Sequence, residues 1–128
     1  MAVYVGLRGQ AMRQVTADLT AERLGSGDVP VFGTPALVAL LEAAAVNALA
    51  GHLGPGETTV GTRLELAHLA PTPVGAAVRA EAELVAVQGR TLTFAAKAFD
   101  HREQIGECRH VRVIVPRDRF LARVGEKT

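Results

Sequence analysis

A helix with almost no polar side constrains this chain more than any other feature. Residues 31–51 read VFGTPALVALLEAAAVNALAG, and between Pro35 and Ala50 only Glu42 and Asn47 are polar. Thr34 suits the N-cap, Pro35 the first helical position and Gly51 the place just past the end. A helix that is apolar on nearly every side belongs inside a protein and not on its surface. At about 3.6 residues per turn, Leu37, Leu40, Leu41, Ala44 and Ala48 share one broad face, flanked by Val38, Ala45 and Leu49. Ala36, Ala39, Ala43 and Ala50 form a small-residue face on the other side, and Glu42 falls on the border. A lone carboxylate there needs a partner, a cleft open to water, or a proton.

The rest of the chain supplies a sheet to wrap that helix. Ala11 to Thr20 alternates as a strand, whereas residues 1–10 carry no clear pattern and read as a loosely held arm. Thr20 to Leu24 can hold one helical turn, and Gly25-Ser26-Gly27-Asp28 is a loop leading to Pro30. Four alternating runs follow the helix, over 58–70, 76–87, 90–99 and 104–115, with short turn signals between them. Turns this short imply antiparallel neighbours, hence a four-stranded meander. On the first run Val60, Thr62, Leu64, Leu66, His68 and Ala70 face the helix, with Arg63 and Glu65 outward. On the last, Gly106, Cys108, His110, Arg112 and Ile114 oppose Ile105, Val111, Val113 and Val115, so periodicity does not say which side is inward. Residues 116–128 are charged and peripheral. One buried helix against a strongly curved antiparallel sheet is the α+β hotdog fold, expected as a single domain over 1–128. Its open sheet edge and remaining apolar helix surface call for a second copy.

Composition then excludes several classes of function. At 48% hydrophobic and 21% charged residues the chain is globular and not disordered, and a net charge of +1 makes no case for nucleic acid. One cysteine rules out an intrachain disulfide, and no metal-ligand spacing, phosphate loop or nucleophile elbow occurs. No run has the pattern of a signal peptide or the length of a membrane span, so the cytoplasm is the expected location.

The remaining chemistry gathers near the helix. His68 lies on the helix-facing side of its strand, in the same layer as Glu42. A buried imidazole and carboxylate that meet relieve each other's desolvation and make an acid–base pair. Thr34 reads equally as a cap or as a hydroxyl serving a site at the helix N-terminus. Gly61 interrupts a strand, marking a bulge or a close backbone approach. Cys108 reads as packing.

These residues resemble a known family. Val31-Phe32-Gly33-Thr34-Pro35 running into Leu41-Glu42-Ala43-Ala44 carries the resemblance, with Gly61-Thr62, Ala67-His68 and Thr72-Pro73-Val74-Gly75. His110-Val111-Arg112 and Asp118-Arg119-Phe120 extend it over residues 11–120. The pattern is similar to the fluoroacetyl-CoA thioesterase-like branch of the hotdog superfamily. The resemblance implies a catalytic set of Thr34, Glu42 and His68, with Gly61 and Arg112 binding the thioester. It also implies a homodimer with its sites at the subunit interface, an acyl-CoA substrate, and no cofactor or metal. One element departs. The family's name-giving enzyme has a longer, Phe-bearing lid before the helix that selects the fluorinated acyl group, where this chain has Arg23-Leu24-Gly25-Ser26-Gly27-Asp28-Val29-Pro30. The expected activity is therefore acyl-CoA thioester hydrolysis, with Glu42 as nucleophile or general base. The alternatives are a non-catalytic hotdog module holding an acyl-CoA or other apolar ligand, and a dimeric scaffold in which Glu42 and His68 are a structural ion pair.

Overall fold

A computed structural model describes residues 2–128. The chain runs through strand β1 (Arg8–Gln14), a 3-10 turn (Ala17–Leu19), helices α1 (Ala21–Leu24) and α2 (Thr34–Ala48), strands β2 (Glu57–His68), β3 (Ala77–Gln88), β4 (Thr91–Phe99) and β5 (Gln104–Pro116), and helix α3 (Arg117–Gly125). All five strands form one antiparallel sheet in the order β1-β3-β4-β5-β2. The sheet curls round α2, whose Leu37, Leu40, Leu41, Ala44, Ala45 and Ala48 are buried against Val78, Ala80, Leu84, Leu92, Phe94 and Ile105.

Several expectations shift. The first strand begins earlier than its alternation suggested and ends at Gln14, so Arg8, Gly9 and Gln10 of the expected arm join the ladder. Gly9 explains the choice. A Cβ there would lie 2.2 Å from the Ala48 backbone nitrogen and 2.4 Å from the Ala44 carbonyl, so only glycine lets β1 press against α2. The strands after α2 are not a meander of four. Hairpins join β3, β4 and β5, but β2 pairs with β5 at the opposite edge from β1. The segment from Leu69 to Ala76 therefore crosses over. Phe32 donates to the Thr72 carbonyl there, and the Thr72 hydroxyl donates to Asp100 Oδ2, so the crossing is tied to both α2's approach and the β4–β5 turn.

The face assignment of β2 also changes. Gly61 pairs with Arg112 but Arg63 pairs with Val111, so a bulge at Thr62 inserts one extra residue. That insertion shifts the alternation. Thr59 and Gly61 point inward before the bulge, and Leu64, Leu66 and His68 after it, in place of an unbroken series through Val60 and Thr62. On β5 the structure settles the inward side: His110 and Arg112 are buried, with Ile114. Nor is α2 covered all round. Ala39, Ala43 and Val46 are exposed in the single chain, Val46 at 49%. Helix α3 is exposed throughout.

Candidate active site

Two polar clusters sit against α2, about two turns apart. The first stands at its N-terminus. Gly33, extended at φ −78° and ψ 147°, is the N-cap, because its carbonyl accepts from the Leu37 N–H. Thr34 is thus the first helical residue and not the cap expected of it, and its side chain makes no capping bond. Its hydroxyl instead lies 2.8 Å from His68 Nδ1 at the end of β2. His68 Nε2 is buried with no partner among the described residues. Burial holds the His68 pKa below 6.5, and a backbone bond with Ala70 offsets part of that shift. A cleft of about 440 Å³ opens beside the pair, lined by Ser26, Asp28, Val29, Phe32 and Leu69 among others. Thr34, the first residue of α2, lines this cleft together with His68.

The second cluster surrounds Glu42, and His68 is not in it. Glu42 Oε2 accepts from Arg112 Nη1 at 3.0 Å, and His110 Nε2 lies 3.4 Å away. Arg112 is fixed from behind by Thr59, donating through Nε to the hydroxyl at 3.0 Å and through Nη2 to the carbonyl at 3.1 Å. Gly61 gives the carboxylate its seat: a Cβ on that residue would fall 2.4 Å from Glu42 Oε2 and 3.1 Å from His110 Cε1. The bulge is therefore also a close approach, and what approaches is this chain's own carboxylate. Glu42 keeps 37% of its side chain exposed, so it meets water as well as its arginine.

The expected meeting of Glu42 and His68 does not occur within one chain. The helix explains why. Thr34 and Glu42 are eight residues apart, about 12 Å along the axis and roughly 80° around it. His68 follows Thr34, and Glu42 follows β5. Pattern reading missed His110 and Thr59. Both faces of β5 hold apolar residues, and Thr59 becomes inward only through the bulge. The available signal was the pair His110 and Arg112, two polar side chains on one side of a strand. Cys108 is no nucleophile, since burial, followed by the charge of Glu42, lifts its pKa to about 11. Among the described residues, no three His, Cys, Asp or Glu side chains gather as a metal site. A larger groove, about 990 Å³, runs along the sheet from Arg8 to Arg109, and Thr34, Glu42 and His68 do not line it.

A sheet rolled round one long helix, with histidine and carboxylate clusters against that helix, defines a hotdog-fold protein of the thioesterase kind. A hot-dog-like protein from Thermanaerovibrio acidaminovorans shares the architecture at a TM-score of 0.86 and 26% identity, over 96% of this chain and 91% of that one. The chain belongs to the fluoroacetyl-CoA-specific thioesterase family, whose model matches residues 15–118. It is 41% identical over 98 residues to the fluoroacetyl-CoA thioesterase of Streptantibioticus cattleyicolor, covering 77% of this chain and 70% of that protein. The structure of a single-site variant of the fluoroacetyl-CoA thioesterase FlK in complex with acetyl-CoA matches at a TM-score of 0.92 and 35% identity, over 98% of this chain and 99% of that one.

Proposed function

We propose that this protein hydrolyses an acyl-CoA thioester at a site shared by two copies of the chain, Thr34 and His68 from one and Glu42 from the other. The separation of the two clusters along α2 carries this reading. Residues 34 and 42 are symmetric about 38. Two α2 helices packed antiparallel around a two-fold axis near Val38 and Ala39 would therefore bring each Glu42 level with the partner's Thr34. The surface such packing needs is present, because Ala39, Ala43 and Val46 are small or apolar and exposed. The fluoroacetyl-CoA thioesterase relatives and the acetyl-CoA complex support the substrate class.

In this site the thioester carbonyl lies near α2's first N–H groups, which favour the oxygen as it gains charge. Glu42 attacks the carbonyl carbon to give an acyl–Glu42 anhydride that water then cleaves, or removes a proton from the water that attacks directly; in either course the C–S bond breaks, CoA leaves as the thiol and the acyl group leaves as a carboxylate. His68, kept neutral by burial, accepts and returns the proton, and the Thr34 hydroxyl orients it. Gly61 and Arg112, which the resemblance expects to bind the thioester, act here by seating the Glu42 carboxylate. The chemistry needs side chains and water only, with CoA arriving as part of the substrate, and a CoA thioester places the work in the cytoplasm.

Complementation tests the shared site. Glu42→Gln and Thr34→Ala homodimers should each lose at least about 100-fold in kcat towards a panel of acyl-CoAs that includes fluoroacetyl-CoA. Unfolding and refolding the two variants together should restore about a quarter of wild-type activity, because half the dimers are mixed and each mixed dimer has one intact site. No recovery on mixing overturns the shared site. No hydrolysis by the wild type across the panel leaves the acyl-CoA-binding module.

A further inference from the structure

We infer that His110 is the positioning residue for Glu42: through Arg112 it pins one carboxylate oxygen and leaves the other to react. The inference rests on the catalytic reading of Glu42 above. His110 is buried, with 2% of its side chain exposed, and both ring nitrogens are engaged. Nδ1 lies 2.9 Å from the Arg63 carbonyl. A carbonyl only accepts, so Nδ1 carries the proton and donates it. Nε2 lies 3.1 Å from Arg112 Nη1, which only donates, so Nε2 presents its lone pair.

That tautomer decides what holds Glu42. The 3.4 Å separation of His110 Nε2 and Glu42 Oε2 is not an ion pair in this arrangement. It is two acceptors within hydrogen-bond distance of one nitrogen, Arg112 Nη1, which has two hydrogens to share between them. Without the imidazole, that side of Nη1 loses its fixed acceptor, and the guanidinium is held by Thr59 on its far side and by the half-exposed Glu42 alone on the near side. With it, four of the five Arg112 N–H donors are engaged inside the protein. Glu42 Oε2 is thereby committed to Arg112, whereas Oε1 has no hydrogen-bond partner among the described residues. Oε1 is the oxygen free to attack or to take a proton. The Nδ1 bond joins this arrangement to the backbone at the β2 bulge, two residues past Gly61, where the carboxylate sits. His110 thus sets the distance between the bulge and the arginine, and so the position of Oε2.

Two substitutions separate positioning from packing. His110→Asn keeps an N–H near Nδ1 for the Arg63 carbonyl but places no acceptor before Arg112. His110→Gln extends an amide oxygen to the Nε2 position. If His110 positions Glu42, the Asn variant loses about 10- to 100-fold in kcat while KM for the acyl-CoA changes little, since a displacement of order 1 Å costs on that scale. The Gln variant recovers most of that loss, whatever the order of the two melting temperatures. Equal kcat per folded molecule in wild type and Asn variant overturns the inference, as does a loss that tracks melting temperature and is not restored by Gln. The Glu42→Gln control separates it from its parent reading. Wild-type hydrolysis that depends on Glu42 but not on His110 defeats this inference alone, and hydrolysis that survives Glu42→Gln defeats both.

Discussion

The behaviour of single residues here depends on whether the group that must yield is a side-chain tip or backbone. Gly61 has no left-handed φ, so alanine strains no backbone there. Its Cβ collides with the end of the half-exposed Glu42 side chain, which can swing aside, and meets the buried His110 ring at 3.1 Å, a contact that a shift of a few tenths of an ångström relieves. Gly61→Ala should therefore change the melting temperature little and lower kcat about 100-fold, a split that thermal denaturation and steady-state kinetics on one preparation will reveal. His68 predicts a pH effect of definite sign. Burial holds its folded pKa below 6.5, so below that pH the unfolded chain binds the extra proton first and stability falls, until the folded histidine titrates too. Melting temperature should decline as pH drops through about 6.5, and His68→Asn should remove that part of the decline. The acid limb of kcat/KM should likewise lie below 6.5, because the working imidazole is the neutral one. Of these residues, Glu42 and His68 were conspicuous in the sequence because each breaks an apolar pattern. His110 was not, because β5 is apolar on both sides.

At the scale of elements, the sequence disclosed what periodicity controls and hid what close contact controls. Helix α2 and strands β2 to β5 fall within a residue or two of their patterns, since one face of each is buried and must alternate. Strand β1 does not, because its position is set by Gly9 meeting the α2 backbone and not by hydrophobic repetition. Gly9→Ala is accordingly the severe counterpart of Gly61→Ala. Here the obstacle is main chain at Ala44 and Ala48, which cannot rotate away. A loss of about 3 kcal/mol in denaturant unfolding is expected, at the upper end for overpacking. The sheet order was equally hidden, since turn length alone does not tell a hairpin from the crossing between β2 and β3.

For the whole molecule, the shared site proposed above requires a second copy. The helix of one chain exposes Ala39, Ala43 and Val46, and its two clusters stand apart. The protein should sediment as a dimer of its 13.4 kDa chain. Ala43→Glu, at an exposed position where a surface change alters folding by about 0.5 kcal/mol or less, should give a folded monomer without thioesterase activity. A folded, fully active Ala43→Glu monomer would refute the shared site. The small-residue helix face is what raised the expectation of a second copy, and the exposure of Ala39, Ala43 and Val46 agrees with it. How the groups proposed as catalytic would divide between two copies was not legible there, because that depends on the distance between Thr34 and Glu42 once His68 lies beside one and Arg112 beside the other.

The sheet order also governs when a site can exist during synthesis. Strand β2 pairs with β5 alone, and 35 residues lie between His68 and Gln104. At about 5–20 residues per second the ribosome needs roughly 2–7 s to bridge that gap. Throughout it, the strand that carries Gly61 and His68 has no neighbour to pair with. Arg112, separated from Glu42 by 70 positions, arrives later still. The nascent chain can settle α2 on β1, β3 and β4 first, so its last folding step is the one that builds the carboxylate's seat. The part of the fold completed last is thus the part that holds the residues proposed to act on the thioester.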